Sequence, residues 1–387
     1  MHNPLMSEDT KATVDALYAF GTEFRSVHDG IAIHCEKLRK SAGVIDAHNS
    51  GTTMRLVTGI AALLPSETVL TGDASLSRRP MAPLVDALIG LGAKANYLGE
   101  RGCPPLKISG PIKGNRTEIK ADVSSQFISS LLIACTQKNG DTDIVLNGKI
   151  RSGPYVEITL ELLRAFGATV EQADQTYHIM GDQQLSKDTY SVPGDYSSAA
   201  FPLAAAAVTS GDVTVKNLDP ESPQGDMAIV DILANFGASV TARGNSVSVS
   251  GSSSKLRGCE LDVRNTPDLF PVVAVLGSVA RGRTVIRGGE SLRHKESDRI
   301  VTTTSFLRRM GADIDPTDDG CVISGGGRLH GAEIVTEGDH RIFMAGVVAG
   351  LAASSDTTIR DSESYAVSYP GFLRDMHQLG CWMKVTR

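Results

Sequence analysis

The sequence is poor in aromatic residues, and its cysteines form no C-x-x-C pair. Phe, Trp and Tyr together make up 5% of the chain, while glycine is abundant at 39 residues, so we expect helices that pack closely through small side chains. The six cysteines show neither paired nor metal-binding spacing, which predicts reduced thiols in a cytoplasmic protein. No apolar run reaches the roughly 18 residues that a membrane-spanning helix needs, so we expect no membrane partner.

The chain also lacks an excess of positive charge. Its formal net charge of −6 argues against general nucleic-acid binding. A small anionic ligand is not excluded, because salt screens charges beyond about 8 Å. The length of 387 residues and the hydrophobic content of 41% are sufficient for two or three domains with sizeable cores.

A short phrase recurs along the chain: a bulky residue, two others, a second bulky residue and then glycine. One such phrase is typical of a helix that ends on a C-cap glycine and continues into a strand. Six of them at nearly constant spacing, 69 to 75 residues apart, indicate an internal repeat. The glycines are Gly21, Gly92, Gly167, Gly237, Gly311 and Gly380.

A polar cluster opens an apolar, often alanine-rich stretch about 41 to 43 residues before each of the last five glycines. For Gly21 the same position falls before Met1. We therefore expect the first repeat to have lost its opening, together with any chemistry carried there. The five clusters are 49–52, 124–126, 195–198, Asp268 and 339–341.

The fourth repeat illustrates the predicted unit. Residues 198–209 have no polar face and predict a helix buried on all sides, followed by a strand, an amphipathic helix at about 227–236 and a hairpin turning at Gly244-Asn245. If a strand precedes the buried helix, the order of elements in one repeat is βαβαββ. We predict an α/β protein of two similar domains with three repeats each. Residues 1–192 form the first, with an incomplete first repeat, and residues 193–387 form the second, which lacks a closing N-terminal strand and ends on a strand at 381–387.

The densest charged segment is 293–299, Arg-His-Lys-Glu-Ser-Asp-Arg. If a helix spans 295–307, Lys295 and Arg299 share one face with Glu296 beside them. Two cations and a carboxylate suit the binding of an anion together with the movement of a proton. The alternative is a solvated helix start with several ion pairs.

Each remaining candidate also has a local explanation. Asp268 precedes an apolar helix and could be a plain N-cap. Residues 339–341 could be a cap with two surface cations, and residues 124–126 a neutral cap. By default, Ser152 and Tyr155 would be a loop residue and a core residue.

Taken together, these segments resemble one family, the 3-phosphoshikimate carboxyvinyltransferases, also called 5-enolpyruvylshikimate-3-phosphate synthases. The matching stretches follow the family order over the whole chain. They are NSGTTMR (49–55), LTGDASLSRRP (70–80), PPLKISG (104–110), SSQF (124–127), RSGPYVEITL (151–160), PGDYSSAAF (193–201), NTPD (265–268), RHKESDR (293–299) and GDHR (338–341).

The resemblance implies the enolpyruvyl transferase fold, an inside-out α/β barrel whose two domains close on substrates. It implies transfer of the carboxyvinyl group of phosphoenolpyruvate to the 5-hydroxyl of shikimate 3-phosphate, with release of phosphate, in chorismate and aromatic amino acid biosynthesis. It implies a monomer without metal or organic cofactor.

The resemblance also assigns roles to individual residues. Asp268 corresponds to the base, and Glu296 to the group that protonates the methylene carbon, next to Lys295. The implied contacts to shikimate 3-phosphate are Ser124, Ser125, Gln126, Ser152, Tyr155, Asp268 and Lys295. The implied contacts to phosphoenolpyruvate are Asn49, Gly51, Arg79, Gln126, Arg299, His340 and Arg341.

Two departures from the family pattern keep alternatives open. The family's N-terminal Lys-Ser-x-x-x-Arg segment has no counterpart here, and its loss from a phosphate site predicts a rate lower by a thousandfold or more. Some members also carry a lysine where this chain has Val367. One alternative is therefore a non-catalytic homologue that binds shikimate 3-phosphate. The others are a UDP-N-acetylglucosamine carboxyvinyltransferase, although loop 72–80 lacks its cysteine, and an RNA 3′-phosphate cyclase.

Overall fold

The six recurring phrases all end helices in the same way. Each of their glycines has a left-handed φ between 88° and 102°, which glycine adopts without strain. At Gly311, the glycine N–H bonds to the carbonyl of Arg308 at 2.9 Å, and the next N–H bonds to the carbonyl of Leu307 at 3.0 Å. The same pair of hydrogen bonds recurs at the other five glycines. This is the Schellman motif, and it confirms the C-cap interpretation.

The computed structural model describes residues 1–40, 43–251, 253–360 and 363–385. The chain divides into two compact units, Met1–Val192 and Pro193–Arg387. Helices of the first unit are α1 (Glu8–Ala19), α2 (Gly51–Ala61), α3 (Ala82–Gly90), α4 (Ser125–Gln137) and α5 (Gly153–Ala165). Its strands are β1 (Glu23–Val27), β2 (Gly30–His34), β3 (Val44–Asp46), β4 (Thr68–Thr71), β5 (Lys94–Tyr97), β6 (Leu106–Ser109), β7 (Arg116–Lys120), β8 (Thr142–Asn147), β9 (Val170–Ala173) and β10 (Thr176–Ile179).

The second unit repeats this pattern of elements. Its helices are α6 (Tyr196–Val208), α7 (Ile229–Asn235), α8 (Phe270–Val279), α9 (Arg299–Arg309), α10 (His340–Leu351) and α11 (Phe372–Gln378). Its strands are β11 (Asp212–Lys216), β12 (Ser239–Arg243), β13 (Ser246–Ser250), β14 (Glu260–Asp262), β15 (Gly282–Arg287), β16 (Asp313–Pro316), β17 (Cys321–Gly325), β18 (Glu333–Val335) and β19 (Thr358–Arg360).

The βαβαββ order is complete in three segments, β3–β6, β7–β10 and β14–β17. In each, the first two strands are parallel and the last two form a hairpin, which gives sheet orders such as β14-β15-β17-β16. The inner helix is the crossover between the parallel strands, as such a connection requires. The segment that contains α6 has, within the described residues, no named strand in front of that helix.

The predicted last strand is wrong over the part of it that can be described. Residues 381–385 have no regular secondary structure. Among the residues that the structure describes, no strand pairs with them. Residues 386–387 lie outside the described part of the chain.

The inner helices form the core of each unit. Every residue of α6 except Ser198 is buried, which confirms the expected helix without a polar face, although it spans 196–208 rather than 198–209. Helices α8 and α10 pack against α6 and are buried along most of their length. Over the described ranges, no helix has the length and apolar character needed to cross a membrane.

Candidate active site

The carboxylate of Asp268 lies among cations. Its Oδ1 accepts from Arg299 Nη1 at 2.7 Å and from Lys295 Nζ at 3.4 Å, and its Oδ2 accepts from Arg341 Nη2 at 3.4 Å. Burial alone would raise the pKa of this carboxyl, but the positive charges of Lys295, Arg341 and Arg299 outweigh burial and hold the pKa well below its ordinary value. Asp268 is therefore ionised at neutral pH.

The structure corrects the plain N-cap interpretation of Asp268. The residue lies in a short 3-10 helix, Pro267–Leu269, directly before α8. Neither helix start has a side-chain cap hydrogen bond. The carboxylate bonds to side-chain cations from other parts of the unit instead.

Arg299 connects three carboxylates in the interior of the second unit. Its side chain is 1% exposed. Besides Asp268, it donates from Nη2 to Glu296 Oε2 at 2.7 Å and from Nε to Asp339 Oδ2 at 2.8 Å. Desolvation opposes its charge, but these carboxylates hold its pKa well above the ordinary value. The guanidinium is a fixed positive charge, oriented by hydrogen bonds at each of its nitrogens.

The predicted helix over 295–307 begins four residues too early. Helix α9 starts at Arg299, where the Asp298 side chain accepts from Val301 N and acts as the N-cap. Lys295 follows the short 3-10 helix Glu290–His294 and is in an extended conformation. Lys295 and Arg299 therefore do not share a helix face; they meet at the Asp268 carboxylate.

The start of α10 places His340 and Arg341 beside this cluster. Asp339 caps the helix through Arg341 N at 2.9 Å. The interpretation of His340 and Arg341 as surface cations is wrong, since each residue is only 6% exposed. Burial first, and then the charge of Arg341, lower the pKa of His340 to about 4, so its imidazole is neutral at pH 7.

Arg341 has hydrogen-bonding capacity to spare. Its Nε and Nη1, like Nδ1 of His340, are buried and have no hydrogen-bond partner among the described residues. The guanidinium carbon lies 5.9 Å from the centre of the Phe201 ring. Buried donors on a cation at a helix N-terminus are the features of an anion site.

In the first unit, the starts of α2 and α4 bring a second group together. Arg79 is buried and donates from Nη2 to Asn49 Oδ1 at 2.9 Å, and Asn49 donates to Asp73 Oδ2 at 2.5 Å. A Cβ at Gly51 would lie 3.1 Å from Arg79 Nη1 and 3.3 Å from Arg55 Nη1. Gly51 therefore lets both guanidinium groups approach the backbone closely.

Gln126 joins this group from the first turn of α4. Its Oε1 accepts from Arg55 Nη1, and its Nε2 donates to Thr52 Oγ1 at 2.7 Å. Ser124 is the N-cap of α4 and accepts from Gln126 N at 3.3 Å, as the cap interpretation predicts. Ser125 is the first residue of the helix and is buried.

Ser152 and Tyr155 lie at the start of α5, which packs against α4. Thr159 of α5 bonds to Ser129 of α4 at 2.7 Å. Ser152 has a left-handed φ of 54°, a conformation that is uncommon outside glycine and costs on the order of 1 kcal/mol. Such a loop residue next to a helix N-terminus suits ligand contact.

Several members of these clusters are not predicted from the sequence. Asp339 was treated only as part of a cap, yet it is fully buried and bonds to Arg299. Arg55 stands in the matching stretch 49–55, but the sequence assigns it no role. Asp226 is 2% exposed and bonds to Ser197 Oγ. The sequence feature that could have pointed to each residue is the short motif that contains it. These motifs are GDHR for Asp339, NSGTTMR for Arg55 and QGD for Asp226.

A metal centre has no support in the described ranges. No group of three or more His, Cys, Asp or Glu side chains there is placed to hold a metal ion. The carboxylates of the second-unit cluster are paired with arginine and lysine instead.

The sequence matches a known family over nearly its full length. The family model for EPSP synthase (3-phosphoshikimate 1-carboxyvinyltransferase) matches residues 1–376. The chain belongs to this family. Members of the EPSP synthase family are transferases that use small-molecule substrates.

Individual relatives agree with this assignment. The 3-phosphoshikimate 1-carboxyvinyltransferase of Methanocorpusculum labreanum is 46% identical over 385 residues, which cover 99% of this chain and 90% of that protein. That of Methanothrix thermoacetophila is 47% identical over 382 residues, covering 98% and 90%. A solved EPSP synthase from Acinetobacter baumannii superposes with a TM-score of 0.82 at 32% identity, covering 99% and 90%. These comparisons confirm the predicted enolpyruvyl transferase fold.

Proposed function

We propose that this chain transfers the carboxyvinyl group of phosphoenolpyruvate to the 5-hydroxyl of shikimate 3-phosphate and releases phosphate. One observation supports it above all others: the Asp268 carboxylate is kept ionised by Lys295, Arg299 and Arg341. A base beside cations suits a reaction in which an anionic substrate is attacked by a hydroxyl that must lose its proton.

In the proposed chemistry, Asp268 takes the proton of the 5-hydroxyl while the 5-oxygen bonds to C2 of phosphoenolpyruvate. The C3 methylene takes a proton from Glu296 and becomes a methyl group, which gives a tetrahedral intermediate. In the second step the methyl group returns a proton to Glu296, the carbon–oxygen bond to phosphate breaks, and the vinyl group re-forms. The proton held by Asp268 leaves with the phosphate, so protons balance over the cycle.

Glu296 must itself be protonated before it can act as an acid. In the ligand-free protein its carboxylate pairs with Arg299 at 2.7 Å. A bound anion close to this carboxyl group would favour its protonated form, because like charges repel. The neighbouring Lys295 would contact the substrate oxygen.

The remaining contacts are proposed by charge and position. Arg299, Arg341 and neutral His340 would bind phosphoenolpyruvate, and the spare donors of Arg341 support this role. We also propose Asn49, Gly51, Arg79 and Gln126 for phosphoenolpyruvate. For shikimate 3-phosphate we propose Ser124, Ser125, Gln126, Ser152 and Tyr155, joined by Asp268 and Lys295.

We also propose that the protein acts as a monomer and does not bind nucleic acid. The net charge of −6 supports the second point, because a nucleic-acid site needs a surplus of positive charge. A cytoplasmic location remains a prediction from the sequence.

The test is a phosphate-release assay of the 387-residue chain with both substrates, together with the Asp268→Asn variant. We expect turnover in the wild type and a loss of about 10²- to 10⁴-fold in Asp268→Asn, the usual contribution of a general base. Binding of shikimate 3-phosphate, followed by calorimetry, should persist in the variant because the cations remain.

The control is Asp262→Asn. Asp262 is an exposed carboxylate on β14 that pairs with Arg264, and its replacement should leave turnover within about twofold. Full activity of Asp268→Asn would contradict the base assignment. Binding of shikimate 3-phosphate without turnover in the wild type would favour the non-catalytic alternative.

A further inference from the structure

The loop before α7 is fixed against the start of α6. Gln224 accepts from Tyr196 N at 2.9 Å and donates to the Gly194 carbonyl at 2.9 Å. These bonds hold the short 3-10 helix Gly225–Ala228 beside the first turn of α6. The Asp226 side chain is consequently buried at a helix N-terminus, with 2% of the residue exposed.

The surroundings of Asp226 are mixed in charge. The hydroxyl of Ser197 donates to its Oδ2. The charged groups that act on it are the carboxylates of Asp268 and Asp195 and the guanidinium of Arg341. Arg341 bonds directly to Asp268 and lies over Phe201 of α6, the helix whose first turn bonds to Asp226 through Ser197. Asp226 is therefore a buried carboxyl within electrostatic range of the proposed base and of the proposed anion contact.

Two such carboxyl groups do not both ionise easily. When like charges share a buried site, one group keeps its proton. Asp268 has direct bonds to Lys295, Arg299 and Arg341, so the proton belongs on Asp226. Consistently, burial and then the charge of Asp268 raise the pKa of Asp226 to about 7.

We propose that Asp226 is a positioning residue whose protonated carboxyl leaves Arg341 available to an anionic ligand, and whose ionisation weakens binding of that ligand. The inference rests on the proposed role of Arg341 at phosphoenolpyruvate and deepens it. Once ionised, Asp226 attracts the Arg341 guanidinium and adds a negative charge close to the incoming phosphate or carboxylate.

The test compares phosphoenolpyruvate binding by wild type and Asp226→Asn, measured by calorimetry from about pH 6 to about pH 8.5. Asparagine reproduces the neutral form at every pH. At each pH we divide the Kd of the wild type by the Kd of Asp226→Asn, which cancels the effect of the ligand's own ionisation on binding. We expect the ratio to be near one at low pH and to rise on the order of tenfold at high pH, with wild type the weaker binder. The exposed carboxylate of Asp231, on α7, supplies a control variant, Asp231→Asn, which should follow the wild type.

A second variant separates this role from a structural one. The Ser197 hydroxyl lowers the pKa of Asp226, so Ser197→Ala should move the midpoint of the wild-type pH dependence upward by roughly one pH unit. This result would also decide the matter if Asp226→Asn failed to fold. A pH-independent ratio, or an unmoved midpoint in Ser197→Ala, would refute the inference while leaving the proposed function intact. Absence of phosphoenolpyruvate binding at every pH would overturn both.

Discussion

Replacement of Arg299 by methionine should destabilise the second unit strongly. Methionine keeps an unbranched apolar stem, although a shorter one, and removes the charge and all of the donors. In the wild type these donors bond to Asp268, Glu296 and Asp339 at 2.7 to 2.8 Å. Arg299→Met therefore leaves three carboxylates without their shared cation, in a position where the arginine itself is 1% exposed.

The loss of unfolding free energy depends on the hydrogen-bond and ion-pair partners that each carboxylate keeps in Arg299→Met. Asp268 keeps Lys295 and Arg341, and the Glu296 side chain is 17% exposed and can be hydrated. Asp339 is fully buried and keeps only neutral donors within the described part of the chain. These are the Ser297 hydroxyl at 3.0 Å and the backbone N–H of Arg341 at 2.9 Å. The net cost is close to that of one unpaired buried charge, about 3–5 kcal/mol. A domain of ordinary stability, about 5–15 kcal/mol, would remain folded.

The matched control lies on the same helix. Arg308 is half exposed and pairs with Asp315, whose side chain is 78% exposed. Since pairs of this kind contribute little, Arg308→Met should cost less than about 1 kcal/mol. A cycle with Asp339→Asn isolates the buried pair. We expect the double variant to be more stable than additivity predicts by about 2–3 kcal/mol, because the asparagine no longer needs the arginine.

The assay is urea unfolding followed by circular dichroism at about pH 7.5 and about pH 5. Arg299 is one of the cations that hold the pKa of Asp268 well below its ordinary value, so Arg299→Met should raise that pKa. The destabilisation of Arg299→Met relative to wild type should therefore shrink as the pH is lowered. Equal losses for Arg299→Met and Arg308→Met, or additive effects with Asp339→Asn, would refute the argument.

Two further predictions concern the backbone and the buried histidine. Gly167→Ala should cost about 1 kcal/mol, because φ is 92° but no atom of the described residues lies within 4 Å of the added Cβ. Gly251→Ala should cost several kcal/mol, because its Cβ would be 1.6 Å from the Ala206 carbonyl oxygen; urea unfolding compares the two. His340 is neutral when folded, with a pKa of about 4, so its contribution is complete above the unfolded pKa of about 6.5 and is lost as the pH falls towards 4. Between pH 7 and pH 4 the free energy of unfolding should decrease by up to about 3 kcal/mol less in His340→Gln than in the wild type. An equal decrease in both proteins would contradict burial of the neutral imidazole.

The fold could be predicted well because its signals are local. A glycine after the last turn of a helix, followed by a small residue, specifies a Schellman motif with little help from tertiary contacts. An alanine-rich stretch without a polar face specifies a buried helix. The exact start of a helix is harder, as the segment 293–299 illustrates. Ser297 and Asp298 are both good caps, and only the position of Val301 N relative to Asp298 decides between them.

The sequence predicts which segments contain site residues, but not the ionic contacts that those residues make with one another. Asp268, Arg299 and Arg341 lie on different helices and are far apart in sequence, so no periodicity connects them. A cap explains Asp268 locally, and the tertiary fold replaces that explanation with three ionic hydrogen bonds. Burial of His340 could not be foreseen either, because a charged-looking helix start is usually solvated.

The repeat explains why these polar groups meet within the second unit. Asp195, Asp268 and Asp339 occupy equivalent places before the inner helices α6, α8 and α10, which pack against one another. Helix N-termini carry partial positive charge and tolerate such carboxylates. Asp195 is exposed, whereas Asp339 is fully buried and Asp268 is partly buried, so these two also need fixed cations. Arg299 supplies one from the start of an outer helix, and Arg341 supplies another. Over the described ranges of the first unit, the same architecture gathers Asn49, Gln126 and arginines without an acidic cluster of this kind. Proton transfer is therefore a property we assign to the second unit, and neutral and cationic recognition to the first.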